Sequence, residues 1–532
     1  MSSAERPPGS MHDSQTEDRE AKSILEAIDI GSTHHGKESK EFDDLEKASP
    51  QTSQTNLDSA AKESTSVNAA MDWTGPDDPG NPNNWSKFKK AYHFWPVAFL
   101  GFACTTGSSI ISPANQDIQN QFHVSRTAAI IPLTVFVIGL GLGPMLASPL
   151  SEQFGRSVVY KVTAPAYLLF TVGAGLSESF ASLVICRLFA GLASGPVLAV
   201  GSGTNADLYP PKDRAFSASM FIMMPFLGPT FGPVIGGFAA YYRGWRWTQW
   251  CILIIAGVAF LTALPMEETY KKVILQKRAK KLGVPPPPGP KVLSLQYLKV
   301  LITVTLFRPI YMLFAEPIVL LFGIYNAFTF GILFGYFAAY PYTFSTVYGF
   351  TIWQTGLTFL GIGVGVISAV TTIILCDKLI YQKKHVEALQ QGLPGAAPEH
   401  RLYAAMIGAF TVPIGLFWFA WTARANVHWI SPVLAGIPFA LGNLALFISS
   451  VLYQMDVYGP LNGASAMAAN GLLRYLLGAC FPLWSFQMFE TLGVDWAASL
   501  LGFVCLALLP IPFAFFKWGP LIRAKSTYAP AC

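Results

Sequence analysis

Long apolar stretches alternate with short polar ones along most of this chain. From residue 94 onward, nearly uncharged runs of about 20 residues recur, and this is the length that a helix needs to cross a lipid bilayer. The pattern predicts an all-α membrane protein with twelve membrane-spanning helices in two groups of six. The first group is expected near 94–114, 128–150, 158–177, 182–205, 216–240 and 247–266, and the second near 318–342, 352–376, 402–421, 429–453, 463–489 and 496–516.

A long polar loop separates the two groups, and it suggests two related bundles. The order of elements divides the chain into five regions. These are a disordered acidic cytoplasmic tail (1–90), an N-terminal six-helix bundle (91–266), a cytoplasmic central loop (267–316), a C-terminal six-helix bundle (317–518) and a short cytoplasmic tail (519–532). Within the central loop, residues 295–302 have the pattern of an amphipathic helix at the inner membrane surface or of a plain linker, and both interpretations stay open.

The composition supports a membrane protein and argues against several other classes. Of the 532 residues, 52% are hydrophobic and only 13% are charged, which is typical of a chain with many membrane spans. The seven cysteines lack the spacing of a metal site, so we expect no metal or other cofactor. The sequence has no P-loop and no H-E-x-x-H or G-x-S-x-G motif in the spans, which disfavours an ATP-driven pump and a membrane enzyme.

The distribution of charge predicts the orientation in the membrane. Residues 1–86 hold 7 Lys/Arg and 17 Asp/Glu, whereas the remainder holds 29 and 14. If the N-terminus is cytoplasmic, the inner loops and ends carry 23 of those 29 basic residues and the outer loops carry 4. Because basic residues accumulate on the cytoplasmic side, both termini are expected there.

The fifth predicted span contains an unusual run of small residues and prolines. Its pattern is G-x-x-x-G-P-x-x-G-G, formed by Gly228, Gly232, Pro233, Gly236 and Gly237. Such residues would break a soluble helix, but inside a membrane bundle they allow close contact between backbones. The run resembles the fifth-helix motif of drug:proton antiporters in the major facilitator superfamily, while a generic packing face is the plainer alternative.

The loop between the second and third spans resembles the inner-gate motif of the same superfamily. Glu152 stands at the position of the motif's acidic residue, and Gly155 and Arg156 match, whereas Ser148 replaces the usual first glycine. The resemblance implies a charge cluster that forms and breaks as the transporter changes state. The expected partner of Arg156 is Asp207, at the cytoplasmic end of the fourth span.

Arg187 lies deep in the fourth span, where an arginine is costly unless it faces a cavity or a partner. Its R-x-x-x-G spacing resembles a fourth-helix motif of the antiporter families, which implies a role in proton coupling. A structural arginine is the alternative. The sequence places no acidic residue in the middle of a span. The proton carrier is therefore one of Asp117, Glu178, Glu316 and Glu490, or one of the gate acids Glu152 and Asp207.

The seventh span is rich in aromatic residues, which suit a cavity for bulky apolar or cationic ligands. Lipid-facing rings are an equally good interpretation for any single position. A second cation within a span, Arg474, is expected to face the cavity and to bind an anionic group or the C-terminus of a helix. The side chains expected to line the cavity are Tyr325, Asn326, Phe328, Tyr340, Gln354, Asn443 and Arg474.

Taken together, residues 78–526 resemble the fungal twelve-span drug:proton antiporters of the major facilitator superfamily. The resemblance implies a proton-coupled exporter of drugs, fungicides, toxins or secondary metabolites in the plasma membrane, working by alternating access. A polyamine or nutrient transporter, or a passive facilitator, on the same fold is the alternative. The expected partners are a small-molecule substrate, protons and the lipid bilayer, with no nucleic acid, and the chain is expected to act as a monomer.

Overall fold

A computed structural model describes residues 72–210, 213–285, 303, 307–393 and 395–528 of the chain. Residues 1–71 of the predicted tail, the segment 295–302 that was predicted as an amphipathic helix or a plain linker, and the last four residues lie outside the described ranges. Within those ranges the regular structure is entirely helical.

The first six long helices are α1 (Lys87–Ser109), α2 (Arg126–Phe154), α3 (Arg156–Gly175), α4 (Phe180–Leu208), α5 (Arg214–Arg243) and α6 (Arg246–Ala263). In the second group, α7 is Pro317–Tyr348, α8 comprises Ile352–Thr358 and Leu360–Cys376, α9 is Tyr403–Thr422 and α10 is Ile430–Gly459. The last two, α11 and α12, lie within Asn462–Arg523, before and after Gly493.

Eleven helical segments among the described residues are long and apolar enough to cross a membrane. The last of them has 62 residues and would be about 93 Å long as one straight helix, three times the thickness of the hydrocarbon core. Its backbone leaves the helical region at Gly493 (φ 78°, ψ 161°), and the chain turns back there. The fold therefore has twelve spans, which confirms the predicted fold class.

Each group of six packs mainly within itself. In the first group, α1 packs on α5, and both α2 and α3 pack on α4. In the second group, α7 and α9 pack against the α10–α12 segment. Because α1 and α7 begin at the same side of the bundle, we call that side, where Arg156, Arg401 and Arg523 lie, the basic side, and the other the opposite side.

The two halves touch through α2 with α11 and through α5 with α8. At the opposite side, the guanidinium of Arg126 lies 3.9 Å from the ring centre of Phe486. Deeper in the bundle, Thr134 Oγ1 donates a hydrogen bond to the carbonyl of Ala479 at 3.0 Å. These contacts run from the opposite side towards the middle of the membrane and hold the two halves together there.

Residues 72–86, directly before α1, are folded, and α1 itself begins at Lys87. This differs from the disordered tail that was predicted up to residue 90. Asp78 is only 3% exposed, and both of its carboxylate oxygens accept hydrogen bonds at 2.8 Å from Arg278. Thr74 and Gly80 donate further bonds to it. The Arg278 guanidinium holds the pKa of Asp78 well below its ordinary value. This pairing ties the start of the first half to the central loop.

The central loop has helical structure of its own. A helix at Lys271–Leu282 carries Arg278 and buries Val273 and Ala279, and a shorter helix at Arg308–Ala315 precedes α7. The first of these helices is docked through Arg278 on the segment before α1, at the basic side.

The fifth helix lies unusually close to the first because of its glycines. A Cβ atom built on Gly228 would lie 2.7 Å from the Thr106 nitrogen, and one on Gly232 would lie 3.0 Å from the Ile110 nitrogen. One on Gly236 would lie 3.0 Å from the Ile110 carbonyl carbon. Backbone atoms cannot move aside as side chains do, so only glycine fits at these positions.

We predict that Gly236→Val destabilises the protein by about 1–3 kcal/mol, because the added carbons must push α5 away from α1. The measurement is the melting temperature of the purified protein in detergent. Gly257→Val on α6 is the matched control, because a Cβ at that glycine has no neighbour within 4 Å. Equal melting temperatures for the two variants would contradict the close α1–α5 packing.

Candidate functional site

A charged cluster joins α2, α3, α4 and the end of α6 at the basic side. Arg156, the first residue of α3, places its Nε 3.4 Å from Asp207 Oδ2 near the end of α4. Its Nη1 donates to Ser151 Oγ at 2.6 Å. Gly155 has a φ of +96°, which separates α2 from α3 and lets the arginine turn back. The structure therefore brings Gly155, Arg156 and Asp207 together, while Glu152 is exposed beside them.

Glu268, which was not among the predicted site residues, lies at the centre of this cluster. Its carboxylate accepts hydrogen bonds from the backbone N–H groups of Arg156 and Ser157 at 2.9 and 3.1 Å. It also accepts the N–H groups of Thr269 and Tyr270 at 3.1 and 2.9 Å. A carboxylate at a helix N-terminus satisfies orphan donors and complements the helix dipole. The adjacent acids Glu267 and Glu268 after the sixth span were the available signal.

The second half contains a similar cluster that the sequence analysis did not anticipate. Arg401, two residues before α9, donates to Asp377 at 3.0 Å and to Asp456, near the end of α10, at 2.9 Å. Its guanidinium also stacks 3.5 Å from the ring centre of Tyr381. Arg401 lies just before α9 and Asp456 lies near the end of α10. Arg156 and Asp207 occupy the corresponding places at the start of α3 and near the end of α4. The pseudo-symmetry of the halves thus extends to their charges.

Arg187 lies at a junction of three helices. It is 1% exposed, its Nη2 donates to the carbonyl of Ser108 on α1 at 3.2 Å, and its Nε donates to that of Pro132 on α2 at 3.3 Å. The ring centre of Phe136 lies 4.2 Å from the guanidinium. No carboxylate in the described ranges lies within 4 Å of it. Backbone carbonyls therefore compensate this cation.

The acidic residues considered as proton carriers have different surroundings. Glu178 and Glu490 are exposed and Asp117 is partly exposed, all at the opposite side. Glu316 is 2% exposed and accepts a hydrogen bond from the Tyr458 hydroxyl at 2.9 Å. Among these candidates, only Asp207 is paired with an arginine.

Arg474 lies where the two halves meet near the middle of α11. Three aromatic rings surround its guanidinium, with centres 4.7 Å (Phe330), 4.3 Å (Phe447) and 4.6 Å (Tyr475) away. Phe226 of α5, in the other half, contacts both phenylalanines, with ring centres 6.2 and 5.4 Å apart. The guanidinium is therefore held against the surface that the first half contributes. Phe226 and Phe447 were not among the predicted cavity residues.

The other predicted cavity residues are not all gathered around Arg474. The Asn326 amide donates to Ser450 Oγ at 2.7 Å, and the Asn443 amide donates to the carbonyl of Thr329 at 2.8 Å. Both bonds join α7 to α10. Gln354 instead accepts the Thr351 N–H at 2.9 Å and caps the start of α8. These three amides serve helix ends and helix pairs, because an amide in an apolar bundle binds the nearest backbone or hydroxyl group.

The three aromatic candidates also differ in position. Tyr325 and Tyr340 are fully buried in the second half, and Tyr340 stacks on Phe419 with ring centres 5.3 Å apart. Phe328 is partly exposed and packs against Phe481. The aromatic content of α7 thus supplies mostly core packing, with Phe330 as its contribution to the surroundings of Arg474.

Comparison with known proteins places this architecture in a family. The sequence profile of the Major Facilitator Superfamily matches residues 97–482, and the chain belongs to that superfamily. Polyamine transporter 4 of Saccharomyces cerevisiae is 39% identical over 482 residues, covering 86% of this chain and 73% of the relative. The citrinin biosynthesis cluster MFS transporter mrr1 of Monascus ruber is 37% identical over 470 residues, and the match covers 86% of this chain and 92% of the relative.

A solved structure supports the same fold. The proton:xylose symporter XylE superposes with a TM-score of 0.58 at 16% identity, covering 82% of this chain and 96% of that one. At this identity the likeness concerns the fold alone. Membership of the superfamily and the curated relatives make the protein a multi-pass membrane transporter of small molecules and not an enzyme. Its fungal relatives include transporters named for biosynthesis clusters.

We predict that Glu268→Gln lowers stability by about 1.5–3 kcal/mol, because the neutral amide loses charge-assisted bonds to backbone N–H groups. Glu267→Gln is the matched control. The side chain of Glu267 is 61% exposed and pairs with Lys89, and such surface pairs contribute about 0–1 kcal/mol. The measurement is the melting temperature of each variant in detergent. A larger fall in melting temperature for Glu267→Gln than for Glu268→Gln would contradict the role of Glu268 in holding the start of α3.

Proposed function

We propose that the protein exports small organic compounds across the plasma membrane by alternating access, in exchange for protons. The observation that carries the proposal is the position of the α5 glycine–proline segment. Gly228, Gly232 and Gly236 lie against α1. A Cβ on Gly237 would be 3.3 Å from the Cα of Trp353 on α8. The segment that resembles the antiporter motif thus lies where α1, α5 and α8 meet, and its close backbone contacts exclude water.

In this proposal the basic side faces the cytoplasm, in keeping with the distribution of Lys and Arg. The contacts between the halves then lie on the outer side of the membrane, which corresponds to an inward-facing state. The Arg156 and Arg401 clusters stiffen the cytoplasmic ends of the two halves. Rocking of the halves would bring these ends together and open the outer contacts.

Asp207 is our candidate for the group that links proton binding to this motion. It is an acid whose side chain is only 22% exposed, and it accepts bonds from both Arg156 and Thr269. Protonation removes the negative charge that Arg156 needs, so the cluster is weakened when a proton binds. Arg187 then acts by holding α1, α2 and α4 in register, and it does not carry the proton itself.

The available driving force is sufficient for strong accumulation outside the cell. A gradient of two pH units supplies about 2.7 kcal/mol per proton, and 100 mV of membrane potential adds about 2.3 kcal/mol. Their sum corresponds to a concentration ratio in the thousands for one substrate molecule per proton.

Polyamine transport is the second candidate, because a relative at 39% identity is named a polyamine transporter. A polycation would require carboxylates within the cavity. The charged residues described at the contact between the halves, Arg126 and Arg474, are both cations, so these surroundings favour compounds other than polyamines.

The test is efflux from yeast cells that lack their own drug exporters. Cells expressing the chain are loaded with a panel of fluorescent or toxic compounds and followed with and without a protonophore. We predict that the protonophore abolishes export, and that Asp207→Asn lowers it about ten-fold or more, as expected for loss of a group that takes part in proton transfer.

Glu490→Gln is the control, since this acid is exposed at the opposite side, and its export should equal that of the wild type. Export that survives the protonophore would indicate a facilitator instead. Faster uptake in place of export would indicate an importer.

A further inference from the structure

We infer that Arg474 is the anchor of an anion-binding subsite, and that the transported compounds carry a carboxylate or a similar organic anion. The inference rests on the proposed function, since it names the substrate class of the same cavity. It depends on three observations: the partners of the buried arginines, the aromatic surroundings of Arg474, and an unpaired amide one helical turn away.

Five other arginines of the bundle are compensated by carboxylates or backbone carbonyls of the protein. Four on the basic side lie within 4 Å of a carboxylate, namely Arg156, Arg278, Arg401 and Arg523. Arg187, inside the membrane, donates to two backbone carbonyls instead. Arg474 has neither arrangement within the described part of the chain, and its Nε is buried without a hydrogen-bond partner there.

The aromatic rings around Arg474 compensate its charge only in part. Phe330, Phe447 and Tyr475 hold the guanidinium by cation–π contacts, which act on the face of this planar group. Its N–H donors point outward in the plane. The Tyr475 side chain is a hydrogen-bond partner of the guanidinium, whereas Nε has no acceptor among the described residues. A carboxylate fits this arrangement, because it accepts two parallel bonds from a guanidinium.

Asn470 extends the site by one helical turn. It lies four residues before Arg474 on α11, so the two side chains project from the same face of the helix. Asn470 is fully buried, and both atoms of its amide lack a partner among the described residues. A buried amide without partners is costly unless something binds it. An oxygen-rich anion held by Arg474 would provide acceptors for the amide as well.

The position of Arg474 puts this subsite within the transport pathway. Phe330 and Phe447 contact Phe226 of the first half, and a Cβ on Gly141 of α2 would lie 2.6 Å from Tyr475 Cβ. A ligand on Arg474 would therefore touch both halves, as a substrate must if it is to drive their movement. A partly compensated cation at this contact repels polyamines and attracts organic anions.

Three xanthene dyes that share one ring system test the inference. Fluorescein carries a free carboxylate, fluorescein methyl ester has that carboxylate masked, and rhodamine 6G is a cationic ester. Binding of each dye to the purified full chain in nanodiscs is measured by fluorescence anisotropy. We expect the dissociation constant of fluorescein to be at least about ten-fold lower than that of its methyl ester, as a charge-assisted bidentate contact would give.

The variants Arg474→Gln and Arg474→Lys separate charge from structure. Arg474→Gln should weaken fluorescein binding about ten-fold while leaving the binding of the methyl ester unchanged. The fluorescein affinity of Arg474→Lys should lie between those of Arg474→Gln and the wild type. Retained ester binding shows that the variants are folded. Equal or tighter binding of rhodamine 6G, undiminished fluorescein binding in Arg474→Gln, or binding of none of the dyes by folded wild-type protein would overturn the inference.

Transport in proteoliposomes distinguishes this inference from the proposed function. If fluorescein binds through Arg474 but an imposed pH gradient does not drive its movement, proton-coupled export fails and the subsite stands. If a pH gradient drives rhodamine 6G movement whatever residue occupies position 474, export stands and the subsite fails.

Discussion

A guanidinium inside a lipid bilayer must be compensated by the protein, and this constraint organises the molecule. On the basic side, Arg156 and Arg401 pair with acids at the ends of α4 and α10, and each arrangement fixes the end of one six-helix half. Inside the membrane, Arg187 is held by carbonyls from α1 and α2. Arg474 is held by rings at the contact between the halves. The first two arrangements each stiffen one half, and the third joins three helices. The fourth leaves Arg474 Nε without a hydrogen-bond partner among the described residues.

The second constraint is the close approach of α5 to α1 and α8. Because apolar side chains gain little by leaving lipid for protein, helices in a membrane associate through close van der Waals packing. The glycines of α5 bring backbones together at a place where any side chain would collide with main-chain atoms. The contact between α5 and α1 is therefore stiff within the first half. The contact between α5 and α8, through Gly237 and Gly356, joins the first half to the second. A movement of the halves would break this second contact and keep the first.

Hydropathy was sufficient to predict the twelve spans, because a bilayer imposes a length and a polarity on every helix. The pairing of Arg156 with Asp207 was also within reach, since both residues fall at the same side of the predicted bundle. Glu268 was missed because its partners are backbone N–H groups. The adjacent acids Glu267 and Glu268 signal a charge in the sequence, but they do not reveal such partners. Asn326, Asn443 and Gln354 were expected in the cavity because polar residues within membrane spans often line cavities. The rotation of each helix about its axis decides which way these side chains face, and the sequence does not specify that rotation. Phe226 and Phe447 were missed because the residues that surround Arg474 are of the same apolar types as those of the core.

The most direct test of the account is the movement of the halves relative to each other. Spin labels at the exposed positions Lys161 and Lys383 report on the basic side, and labels at Arg243 and Thr351 report on the opposite side. Distances between each pair are measured by electron paramagnetic resonance in nanodiscs while the proton concentration and the ligand are varied. Alternating access predicts reciprocal changes, with the basic-side distance falling as the opposite-side distance rises. Distances that stay constant, or that rise and fall together, would contradict it.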